Sequence, residues 1–140
     1  MSYPASDKAI YEKLSANAQI VAAVGTVDGQ LQIYNSFVPV EATLPYVYFY
    51  NLTDIPDYQT LREAQDDTWT VEVVAASAAD ARTIIGSVED ALQKQTLTYS
   101  GWSNYSTLIM ERRYRVEVED RTPYYCRHVD VQLRWSKSSV

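Results

Sequence analysis

Between Thr68 and Gln93 the apolar residues change their period, and few folds survive that change. Trp69, Val71 and Val73 alternate with Thr70, Glu72 and Val74, a period of two rich in β-branched and aromatic residues. Such alternation predicts a strand with one face in a core. From Ser77 the spacing becomes helical: Ala81, Ile84, Ile85, Val88 and Leu92 form one stripe, with Asp80, Arg82, Ser87, Glu89 and Asp90 opposite. Ser77 is placed to cap this helix, with Asp80 three residues on as a capping-box partner. A strand that runs straight into an amphipathic helix requires a sheet for the helix to lie on.

The flanking sequence supplies that sheet. After a short arm, Ser6 reads as a helix cap with Asp7 in the first turn, and Ala9, Ile10, Leu14 and Ala18 form an apolar stripe continued by Ile20–Val24 up to Gly25. Asp28-Gly29 signals a turn. Leu31–Phe37 alternates weakly as a strand, and Tyr46–Tyr50 alternates strongly, Val47 and Phe49 against Tyr46, Tyr48 and Tyr50. Residues 51–67 read as a long polar connection with a helical turn over Tyr58–Ala64, and residues 95–106 as a second polar loop carrying Tyr99, Trp102 and Tyr105. Loops of such length are commonly functional. With the predicted core outside both, each is expected to be dispensable for folding. Leu108–Val118 forms the next strand, with Leu108, Met110, Tyr114, Val116 and Val118 on one face; Arg112 interrupts that face and predicts a bulge nearby. The last strand sets Val129, Val131, Leu133 and Trp135 against His128, Asp130, Gln132 and Arg134.

A chain of 140 residues with 46% hydrophobic content can bury one proper core as a single domain. No apolar run reaches the length of a membrane span, and the N-terminus has no signal-peptide pattern. A lone cysteine, Cys126, cannot cross-link the chain internally and points to a reducing compartment. The net charge of -6 disfavours polyphosphate binding as the main function. It is uneven: residues 1–61 and 62–105 each carry net -4, and residues 106–140 carry net +2. Tyrosine supplies 12 of the aromatic residues, a bias toward contact surfaces. Residues 14–61 hold no basic side chain, so the tyrosine row suits protein contact better than a single-stranded nucleic-acid platform. An interface is therefore expected at Tyr46, Tyr48 and Tyr50, at Tyr58, Trp102 and Tyr105 of the two loops, and at Arg113 and Arg115 of the basic strand.

Two residue sets bear on chemistry. Cys126, His128 and Asp130 have the types of a nucleophile, base and orienting carboxylate. Successive residues on one face of a strand stand about 6–7 Å apart, however, and a solvated strand face accounts for the pattern. No second Cys or His completes a zinc set. Asp54, Asp57, Asp66 and Asp67 lack the spacing and glycine of a calcium loop. With no phosphate loop, nucleophile elbow or zincin motif, neither catalysis, cofactor nor metal is expected.

The order of elements, with KAIYEKLSANAQIVAAVG at 8–25, QIYN at 32–35, LPYVYFYN at 44–51, TVEVVAASAADARTIIGSVEDAL at 70–92 and CRHVDVQLRW at 126–135, resembles the tail completion (tail terminator, tail-to-head joining) family of long-tailed bacteriophages. It departs from the family pattern at Gln32 and Asn35, which flank Ile33-Tyr34 where Arg and Pro are common, and TVDGQL looks like an insertion. The resemblance implies an α+β fold, a small, largely antiparallel four- to five-stranded sheet with two main helices packed on it. It further implies a structural virion protein, assembled in the host cytoplasm as a homo-oligomeric ring, usually hexameric, at the head-proximal end of the tail tube. Its partners would be the tail tube protein and the head–tail connector or stopper, with DNA only passing through the lumen and no membrane. Two alternatives are a head-side neck or stopper protein, and a small ligand-binding or enzymatic α+β domain using the Cys126–His128–Asp130 face.

Overall fold

The computed structural model describes the backbone of residues 4–59 and 62–137 and, within these, the side chains outside 56–63. Its elements are α1 (Ser6–Ser15), α2 (Ala18–Val24), β1 (Thr26–Val27), β2 (Gln30–Leu31), β3 (Ile33–Asn35), β4 (Tyr46–Gln59), β5 (Arg62–Ala75), α3 (Ala78–Leu92), β6 (Thr98–Tyr99), β7 (Trp102–Glu119) and β8 (Thr122–Lys137). The main sheet has six strands rather than four or five, in the order β3-β4-β5-β8-β7-β6. Only β3 and β4 pair in parallel; the other neighbours in this sheet are antiparallel.

The predicted strand–helix unit forms β5 and α3. Ser77 Oγ accepts the Asp80 N–H at 3.1 Å, and Ala81, Ile84, Ile85, Val88 and Leu92 are buried. Ser87, expected outside, is buried as well, because its hydroxyl meets Gln19 Oε1 at 3.2 Å under the second helix. That helix, α2, is separate from α1: Asn17 Oδ1 accepts the N–H groups of Gln19 and Ile20 at 3.1 and 3.0 Å and starts a new cap. Ser6 does not cap α1. It is the first helical residue, and its hydroxyl donates to Asp67 instead.

The helices cover one sheet face, on which Ile33, Val47, Phe49, Val71, Val73, Val129, Val131, Leu133 and Trp135 are buried. The departures at the start of β3 have structural roles. Gln32 is buried: its Nε2 donates to Val24 O at 2.8 Å and its Oε1 accepts the Thr43 N–H at 2.8 Å, tying the 36–44 segment to the domain. Asn35 Nδ2 donates to Asp7 Oδ2 at 3.1 Å. The apparent insertion is a two-residue hairpin, with Asp28 and Gly29 at φ 52° and 76° between β1 and β2.

Both expected loops are largely strand. Residues 51–59 and 62–67 continue β4 and β5 as a long antiparallel hairpin, so no helical turn occupies Arg62–Ala64; residues 60–61 lie outside the described residues. Residues 98–99 and 102–106 belong to β6 and β7, and Trp102 is 7% exposed within the core with Leu97. Shortening 95–106 therefore removes core, not a dispensable loop. We expect Trp102→Ala to cost about 3–5 kcal/mol, whereas Tyr105→Ala at an exposed site should stay within about 0.5 kcal/mol. Urea denaturation of the two variants checks this.

Candidate functional site

The sheet face away from the helices carries the polar and aromatic residues. Register sets them in rows: Tyr50–Thr70–Asp130–Glu111, Tyr48–Glu72–His128–Arg113 and Tyr46–Val74–Cys126–Arg115 across β4, β5, β8 and β7. Tyr34 and the tyrosines of β4 form a ladder. Ring centroids are 6.3 Å apart for Tyr34–Tyr46, 6.2 Å for Tyr46–Tyr48 and 5.7 Å for Tyr48–Tyr50. The rings of β4 are half-buried, as a row lying against its own sheet rather than standing free in solvent.

A carboxylate sits beneath them. Glu72 is buried; Tyr48 Oη donates to its Oε2, Arg115 pairs with its Oε1, and His128 Nδ1 lies 3.8 Å from the same oxygen. Asp130 is the second buried acid, accepting from Thr70 Oγ1 at 2.8 Å and pairing with Arg113 at 3.3 Å. In each pair the acid is buried while its arginine stays about half exposed, so the arginine compensates a charge that water cannot reach.

This arrangement corrects the solvated-face reading of Cys126, His128 and Asp130. They share a face, but Cys126 is 1% exposed and Asp130 is also buried. Asp130 is bonded to Thr70 and Arg113, while His128 faces Glu72, so the relay a nucleophilic triad needs is not assembled. Burial pushes the Cys126 thiol above its ordinary pKa, which makes it a poor nucleophile.

Beside this face lies a cleft of about 590 Å³ between the 36–44 segment and the outer part of the β7–β8 hairpin. Tyr46, Tyr48 and Cys126 line it together with Arg115 and Glu117. On its rim, Phe37 is 72% and Val40 is 99% exposed. Neither was singled out from sequence, because single apolar residues in an irregular segment carry no period.

The other expected contact residues separate. Tyr105 is exposed; Arg113 and Arg115 are partly exposed though anchored; the Tyr58 side chain lies outside the described residues. Trp102 is removed as an exposed anchor by its place in the core. The predicted bulge is present between Ile109 and Glu111, but it splits the supposed apolar face of β7: Leu108 pairs opposite Gln132, whereas Tyr114, Val116 and Val118 lie on the helix side and remain exposed.

The acidic residues of 51–67 also part company. Asp54 and Asp67 face a common pocket with Ser6, Gln65 and Trp69, while Asp66 turns to Arg134 at 3.6 Å; the Asp57 side chain lies outside the described residues. Burial raises the Asp67 pKa to about 7, with Asp54 adding to the rise and the bonds from Ser6 and Gln65 opposing it.

Residues 8–136 match the family model described as "Tail completion protein gp17". The chain belongs to this family. No curated protein matches the sequence. Among solved structures the fold is similar to a chain of the "Virion of native gene transfer agent (GTA) particle", with 21% identity, a TM-score of 0.68, and coverage of 99% of this chain and 100% of that one.

Asp67 gives this family member a pH signature. The folded carboxyl keeps its proton to about pH 7, whereas an unfolded aspartate loses it near ~4. Between those values the unfolded chain binds fewer protons, so Asp67 makes stability fall as pH rises across the window. Asp67→Asn should flatten that slope and raise stability at pH 8 relative to wild type, measured from urea midpoints between pH 4 and 8.5. The thiol gives a second check. Cys126 should resist a water-soluble thiol reagent in the native protein and react fully in denaturant.

Proposed function

We propose that this tail completion protein works as a structural subunit of a homo-oligomeric ring, hexameric in the family's usual form, at the head-proximal end of the tail tube. There it ends tube growth and offers the surface that joins the head connector. The observation that carries the reading is the family match across residues 8–136, nearly the whole chain. The likeness to a chain from a virion particle agrees with it at the level of fold.

The surface chemistry supports the same reading. The polar face is occupied by internal pairs that hold side chains still, which suits a scaffold rather than a reacting centre. Exposed apolar residues include Phe37 and Val40 beside the cleft and Val116 and Val118 along β7. Apolar side chains left in water at such places mark contact surfaces for other proteins.

The test combines mass and morphology. Purified protein should show an oligomer by light scattering and rings by negative-stain microscopy. Phe37→Asp with Val40→Asp should leave stability within about 0.5 kcal/mol, since neither site is buried. The same double variant should fail to complement a deletion, giving unjoined heads and tails or overlong tubes. Normal-length, joined particles from this variant would remove the rim of the cleft from the joining surface.

A further inference from the structure

The chain seals the outer edge of β7 over only part of its length. β6 pairs with Trp102 and Ser103, the Lys94 N–H donates to Thr107 O at 2.9 Å, and Gln93 Oε1 accepts the Ile109 N–H at 2.7 Å. The bulge follows, and beyond it no strand pairs with that edge among the described residues. The free groups can be assigned. Asp120 and Arg121, at φ 49° and 64°, form a two-residue turn flanked by the pair Glu119 and Thr122. In such a hairpin the flanking pair is hydrogen-bonded, and bonded pairs then alternate along the ladder. Register runs unbroken from Glu119 back to Glu111, so Arg112, Tyr114, Val116 and Val118 direct their N–H and C=O groups outward. The side chains of Tyr114, Val116 and Val118 are exposed too, Val118 at 68%.

An open edge with an uncovered apolar row is a template for another strand. Resting on the ring reading above, we infer that this edge of β7 pairs with the outer edge of β4 in the neighbouring copy, continuing the sheet from subunit to subunit. Two observations select that occupant. Among the described residues β4 is paired on its outer side only at Val47–Phe49, so residues 50–59 form the second free edge, on the opposite side of the same sheet. Three antiparallel steps separate β4 from β7, so a copy with the same axial direction presents β4 antiparallel to β7.

The contact joins two different surfaces, the head-to-tail type that closes rings. Pro56 leaves one rung without a donor, and edge strands tolerate this. The two free stretches lie toward opposite ends of the sheet, so each copy steps along the strand direction relative to the next. Strands then incline to the ring axis, as stagger and tilt are linked in closed sheets.

The test is Val116→Pro in the full chain, since proline at an outward position removes only a donor that the subunit does not use internally. Native mass spectrometry and light scattering should show the oligomer for wild type and its loss in the variant, with circular dichroism and melting temperature retained. Full assembly of Val116→Pro to the wild-type mass overturns the pairing and leaves the ring reading standing. A wild type that is monomeric at every concentration overturns the ring reading itself. Should Val116→Pro fail to fold, a second arm decides: mixed Ile55→Cys and Glu117→Cys chains, both positions lying on the face away from the helices, treated with a short bismaleimide. Links between Ile55→Cys and Glu117→Cys chains support the assignment. Links between two Glu117→Cys chains, or none in an intact oligomer, overturn it.

Discussion

The pairing of β5 with β8, from Ala64↔Ser136 to Ala75↔Tyr125, is the constraint on which the rest of the domain depends. These two strands are central in the sheet, and their alternation assigns every neighbouring row to one of two faces. Val71 opposite Val129 and Trp69 opposite Val131 make the greasy side on which α3 lies. Thr70 opposite Asp130 and Glu72 opposite His128 make the polar side on which the tyrosines of β4 and the arginines of β7 converge. A slip of one residue would place Glu72 among the valines and leave Asp130 without Arg113, so register here is strongly specified.

The polar side shows how a sheet face can be buried without a second layer. Tyr48 reaches Glu72 from β4 and Arg115 reaches it from β7, so β5 is covered from both sides by side chains of its own sheet. Ordinary amphipathic reasoning places such a face in solvent, yet Cys126, Thr70 and Glu72 are all buried. The cost of burying the charge is offset because each acid keeps a cation and a hydroxyl donor. A face organised in this way holds its arginines still, which is useful for recognition and unsuited to proton transfer.

What could be read from the residues follows from the same physics. The β5–α3 unit and β8 were legible because one face of each is apolar and the other polar. The hairpin at 51–67 was not, because a strand polar on both faces has no alternation to detect and reads as loop. Residues Tyr114, Val116 and Val118 misled in the opposite direction: their alternation is real, but the strand runs beyond the helices that would cover it. Trp102 was placed in a polar loop because its neighbours are polar, although β6 and the bulged start of β7 turn it inward. Asp67 carried no signal at all, since its raised pKa comes from burial beside Asp54.

The central position of β8 also bears on how the molecule is made. The middle of the sheet is completed by β8, which follows all its partner strands in the chain, and Ala64 must wait for Ser136 before its ladder closes. Pairings so distant in sequence close slowly, because chain entropy is lost before they reward it. Until then β5 exposes Val71 and Val73 with nothing but β4 and α3 against them. Synthesis therefore passes through an interval in which the helices and the first hairpin exist without their centre, and chaperone dependence would be concentrated there.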